Sequence, residues 1–200
     1  MQTLGLTSET KRSDGWLKSL LWPSVENAWD VDYLGQQGFW ICAVVALLTL
    51  LSCFTTPNIL VIVFSTISAV FYLIGGMGVR QANWLAATFV FVVFVLDILV
   101  QLANHQMPNI IRILFAVVLL SNARAAFLAS EWRPAADDED RPSRFNETLA
   151  DKLVDQMPAK LWPVLQIPFI VLAIFMLLLN LFSVAFVLAS RFGLIPHSLH

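Results

Sequence analysis

With 200 residues, 58% hydrophobic and only 13% charged, the chain falls outside soluble domains, in which about a quarter of residues are charged. Its net charge of −2 excludes the basic face that nucleic-acid binding requires. The composition predicts an all-α integral membrane bundle of about five transmembrane helices, with interfacial amphipathic helices beside them.

The N-terminal segment 1–37 is read as cytoplasmic and interfacial. Its first stretch, MQTLGLTSETKRSDGW, has no apolar run behind its charges, so no cleaved signal peptide is expected. The next, DGWLKSLLWPSVENAWDVDYL, mixes tryptophans with Lys18, Glu26, Asp30 and Asp32, and Pro23 divides it. It predicts one or two short helices lying in the interface plane.

Residues 38–132 are expected to hold four spans. A hydrocarbon core of about 30 Å needs about 20 apolar residues, and the runs 38–54, 58–79, 84–103 and 108–132 meet or approach that length. The first is short, and TTPN after it leaves room only for a tight turn. Runs one and two are therefore an antiparallel hairpin, spanning or re-entrant, with Pro57 where a second helix can begin. Cys42 and Cys53 both lie inside run one and read as small buried hydrophobes, with neither Cys-x-x-Cys nor a disulfide framework present. Gly75, Gly76 and Gly78, near the end of run two, would let another helix come close.

Charged residues inside a span are costly and tend to pair, line water or snorkel. There are three: Asp97, Arg112 and Arg124. The short NHQMPN connection makes runs three and four antiparallel. Asp97 then lies about 9 Å, and Arg112 about 6 Å, from the same end of the hairpin, so the two are expected to pair. Arg124 is expected to snorkel to headgroups or bond carbonyls near the Gly75–Gly78 stretch. Around it Ser121, Ala125 and Ala129 recur four apart, beside Asn122, the small-residue pattern of close helix contact. That places run four at the packing centre. The functional alternative is that Asp97, Arg112 and Arg124 line an ion, proton or anionic-substrate path. With Asn122 and Asn180 they form the candidate intramembrane polar network.

Segment 133–160 opens with the acidic, proline-bounded RPAADDEDRPSR, expected to be solvated. In FNETLADKLVDQM, Phe145, Leu149, Leu153 and Met157 recur four apart, and Asn146 can cap the start. An amphipathic helix over 145–157 is expected, with Leu149 and Leu153 buried. The sequon Asn146-Glu147-Thr148 is read as chance on a cytoplasmic loop. Residues 161–200 hold the last span and an outer tail. Run 162–190 is long and contains Pro163 and Pro168, so crossing is expected from about Pro168, after an interfacial start. Leu-Trp-Pro occurs at Leu21 and again at Leu161, two similar interfacial corners. Asn180 is expected to form an interhelical hydrogen bond.

Orientation follows from Lys and Arg. Nine of them (Lys11, Arg12, Lys18, Arg80, Arg133, Arg141, Arg144, Lys152 and Lys160) fall on one side of a five-span chain, against Arg112 and Arg191 on the other. The N-terminus is thus expected in the cytoplasm and the C-terminus outside, in a bacterial inner membrane. Trp40, Trp84, Trp132 and Trp162 fall at the inner ends, where they can anchor at headgroup level. His105, His197 and His200 fall on the outer side. His197-x-x-His200 would suit a metal only on a helix, and Pro196 argues against one, so no metal or other cofactor is expected.

No phosphate loop, His-Glu-x-x-His, Gly-x-Ser-x-Gly or Ser–Lys pair is present, and no enzyme is expected. The reading is a non-catalytic accessory or structural subunit of a membrane complex, partnered by the lipid bilayer and by a membrane protein or further copies of itself. The alternative is a small transporter or channel.

Overall fold

The computed structural model describes residues 21–25, 28–55, 57–131 and 152–192, and no strand occurs among them. Five helices are long and apolar enough to cross a membrane. In chain order they are α1 (Ala28–Ser52), α2 (Ile59–Arg80), α3 (Trp84–Ala103), α4 (Ile110–Glu131) and α5 (Met157–Arg191). A π-helical turn, Lys152–Gln156, leads into α5 without a break.

Asparagines start three of the helices. Asn58 Oδ1 accepts from Leu60 N–H at 3.0 Å, Asn83 Oδ1 from Ala86 N–H at 3.0 Å, and Asn109 Oδ1 from Ile111 N–H at 3.2 Å. Each satisfies a donor that the first helical turn leaves unpaired. The α2–α3 connection is tight because Ala82 adopts a left-handed conformation, φ 51°. Asn83 N–H then closes onto the Gly78 carbonyl at 3.0 Å.

Both helices of the first hairpin are of spanning length, with 25 residues in α1 and 22 in α2. α1 begins at Ala28, well before the apolar run at 38. Its early turns are amphipathic: Val31, Leu34, Gly35 and Gly38 are buried on one face, while Tyr33 is 51% exposed. α5 also departs from expectation. Pro163 and Pro168 lie inside a continuous 35-residue helix, with no break before the crossing. Spanning helices tolerate proline because neighbouring groups and local adjustments serve the freed carbonyls.

The helices run antiparallel in sequence, so α1 and α5 begin, and α2 and α4 end, near Arg80. We term this the Arg80 end and the opposite one the His105 end. α2 is the hub, packing on α1, α3 and α5, whereas α4 packs on α1 and α3 and touches α2 only weakly. The packing centre is therefore α2 and not run four. The core lies toward the Arg80 end, where Cys42, Phe71, Tyr72, Val90, Leu119, Trp162 and Phe169 join one apolar cluster. On α5 the buried positions Trp162, Phe169, Ala173, Met176 and Asn180 are spaced by sevens, fours and threes, a near-heptad seam.

Candidate functional site

The densest polar cluster closes the Arg80 end. Arg80, the last residue of α2, is buried, and its side chain is only 7% exposed. Its Nη1 donates to Asp32 Oδ1 of α1 at 2.6 Å and to the Asp32 carbonyl at 3.4 Å. Its Nε donates to Asp155 Oδ1 of the π-turn at 3.0 Å, and Nη2 reaches the same oxygen. One guanidinium therefore ties together the start of α1, the end of α2 and the entry to α5. Its planar fork can serve two carboxylates at once, which a lysine ammonium does less well. In the sequence Arg80 reads only as one of the charges on the cytoplasmic side. The signal that could have singled it out is Asp32, a carboxylate on the apolar-faced start of α1.

Next to this cluster the backbones approach closely. A Cβ on Gly35 would lie 3.3 Å from the Val79 carbonyl oxygen. One on Gly38 would lie 2.3 Å from Asn122 Nδ2, which donates to the Leu34 carbonyl. Asn122 of α4 is thus a buried strut to the backbone of α1. Gly76 meets Cys42 of α1, Gly75 meets Val90 of α3 and Phe169 of α5, and Gly78 meets Ala86 and Trp162. The three α2 glycines consequently serve three different neighbours. Ser121, Ala125 and Ala126 of α4 are buried and Ala129 half-buried. The Ser121 hydroxyl and Gln37 Oε1 have no hydrogen-bond partner among the described residues.

Arg124 does not reach the α2 glycines. Its Nη1 donates to the Pro23 carbonyl at 3.4 Å, and the guanidinium lies 5.1 Å from the centre of the Trp22 ring. It holds the first Leu-Trp-Pro corner against the bundle, by a cation–π contact as much as by a hydrogen bond.

The expected Asp97–Arg112 ion pair is not formed. Asp97 Oδ2 accepts from the Tyr72 hydroxyl of α2 at 2.9 Å. Arg112 is near enough for its charge to act on that carboxylate, yet its own side chain is exposed. The cause is depth. α4 starts at Ile110, so Arg112 lies only about 3 Å inside it, against about 9 Å for Asp97 inside α3. Asn180 also departs from expectation. Its Nδ2 donates to Met176 O, one turn back on its own helix, at 3.0 Å, and not to a neighbouring helix.

The tryptophans divide. Trp40 and Trp84 are 45% and 40% exposed, and Trp84 stands edge-on to Phe127 at 6.1 Å. Trp162 is instead 7% exposed, turned inward over Gly78 and 5.6 Å from the ring of Phe169. Near the π-turn the buried residue is Val154, while Leu153, expected to be buried, is 50% exposed. Trp132, Leu149, most of the expected helix 145–157, His197 and His200 lie outside the described residues. His105, with φ 58°, sits in the α3–α4 turn beside a shallow cleft. Among the described residues no group of three His, Cys, Asp or Glu could hold a metal.

No family model, no curated protein and no solved structure matches the chain.

Proposed function

We propose that the chain is a non-catalytic accessory or structural subunit of a membrane complex, set in a bacterial inner membrane with its N-terminus in the cytoplasm and its C-terminus outside. One observation carries the reading: four polar side chains of the spanning helices, Asn122, Asp97, Arg124 and Asn180, are engaged in holding the protein's own elements. Asn122 bonds α1, Asp97 takes the Tyr72 hydroxyl, Arg124 clasps the Trp22 corner and Asn180 returns to its own backbone. A carrier needs such groups turned toward a water-filled path. The proposed orientation rests on the nine-to-two bias of Lys and Arg.

Purification from the native membrane in mild detergent tests it. A stoichiometric companion that survives the double change Asp97→Asn, Arg112→Gln is expected. A small transporter or channel is the second reading, favoured by Asp97 itself, a carboxylate within a spanning helix whose field reaches Arg112. Recovery of the chain alone, with solute flux into vesicles that Asp97→Asn abolishes, would replace the first reading by the second. Reporter fusions at residue 140 and after His200 should report opposite sides.

A further inference from the structure

Acidic residues are distributed very unevenly along this chain. Asp97 is the sole Asp or Glu between Asp32 and Glu131, and none follows Asp155. Among the described residues Asp97, about 9 Å inside α3 and bonded to Tyr72, is therefore the sole side-chain carboxylate toward the His105 end. That end nevertheless carries Arg112 in the first turn of α4, Arg191 as the last residue of α5, and His105 between α3 and α4, all three exposed. Arg191 and His105 converge on one cleft of about 310 Å³, between the ends of α3 and α5. Asn104 and Ser190 add polar groups to it, and Phe186 and Val187 form its apolar wall. Phe182 is stacked on Phe186 with ring centroids 6.3 Å apart, and the two are 69% and 50% exposed, continuing an apolar surface along α5.

A cation at the end of a spanning helix, in a cleft whose lining holds no carboxylate, matches the anion that every phospholipid presents at that depth, the headgroup phosphate. We infer that the cleft at Asn104, His105, Ser190 and Arg191 binds the phosphate of a phospholipid, with an acyl chain along Phe182 and Phe186. Arg191 supplies the fork of donors suited to two phosphate oxygens. The C-terminal carbonyls of α3 and α5 end here and disfavour an anion, so the guanidinium is required to reverse the local sign.

Native mass spectrometry of the purified chain, titrated separately with phosphatidylglycerol, phosphatidylcholine and inorganic phosphate, tests the site. Phosphatidylglycerol is expected to bind most tightly, and inorganic phosphate not to displace it. Arg191→Gln should weaken that binding about five-fold, the loss of one cation near the surface, and adding His105→Asn should weaken it further. Arg191→Lys should retain part of it. Asparagine is chosen at 105 because it tolerates the left-handed backbone, and thermal unfolding checks that each variant remains folded. Equal retention of phosphatidylglycerol by wild type and the double variant would overturn the inference. Displacement by inorganic phosphate at similar concentration would overturn the headgroup assignment and give the same donors a soluble anion.

Discussion

The two ends of this bundle are built from the same five helices but packed to different degrees. Toward Arg80, glycines bring α1 and α2 to backbone contact, and one arginine joins three elements. Toward His105, none of residues 47–52, 59–68, 95–103, 110–117 or 181–191 is buried. Apart from the Tyr72–Asp97 bond, the polar contacts described across that region are slight, such as Ser52 Oγ to Ser65 Oγ at 3.3 Å. Apolar side chains are abundant at both ends, so hydrophobicity does not make the difference. In lipid the medium is as apolar as leucine, and helices associate where small residues admit close approach or polar groups bond. The Arg80 half has both features.

The largest way to break the comparison is Arg80→Ala. Removing one partner from a buried ion pair costs about 3–5 kcal/mol. Asp32 and Asp155 keep 34% and 24% of their side chains exposed, so water softens the loss to about 2–3 kcal/mol. Unfolding in detergent should show it, and loss of protection at Asp155 should accompany it. An unchanged melting curve would mean that the clasp contributes nothing.

Gly78→Leu comes next. Its Cβ would meet the Trp162 ring at 2.4 Å and Ala86 Cβ at 2.5 Å, and overpacking of this kind costs about 1–3 kcal/mol. Thr66→Leu, at an exposed position near the His105 end, should change stability by less than about 0.5 kcal/mol. Similar losses for the two variants would erase the distinction between the halves.

Tyr72→Phe removes the hydroxyl bonded to Asp97 and should cost about 0.5–1.5 kcal/mol. A double-mutant cycle sharpens the assignment, since the Tyr72–Asp97 coupling should exceed that of Arg112 with Asp97. The reverse ranking would restore the ion pair as the main contact. The smallest loss of a named contact belongs to Trp22→Ala. It removes a cation–π contact worth about 0.5–1 kcal/mol and should be read as faster proteolysis before α1, with little change in global melting.

The apolar runs were legible as helices because length and hydropathy alone decide that a span can exist. The start of α1 was not, because Asp30, Asp32, Gln36 and Gln37 interrupt the run while Val31, Leu34, Gly35 and Gly38 keep a helical face. Asp97 was recognisable as a residue needing a partner, but depth along a helix says nothing about which way a side chain faces. Tyr72, on a third helix, supplies the bond instead. The glycines of α2 were legible as sites of close approach, and their distribution over three neighbours was not. Gly35 lies in the stretch that reads as interfacial and Gly38 is the first residue of run one, so position alone marks neither as a site of close approach. Nor does position mark Arg80: its two carboxylates come from segments assigned to the membrane surface.

The two prolines of α5 bear on its elasticity. A proline has no N–H, so the carbonyls of Ala159 and Val164 lack the usual bond from four residues ahead, and Val164 is 74% exposed. The 35-residue rod therefore contains a compliant joint within its seam, between Trp162 and Phe169. Flexure there lets the turns held by Asp155 and Trp162 and the turns packed from Phe169 onward adjust to their neighbours separately. Spin labels at Gln156 and Leu178 would report this as a broad distance distribution that narrows in Pro163→Ala, Pro168→Ala, and equal widths would show a rod of uniform stiffness.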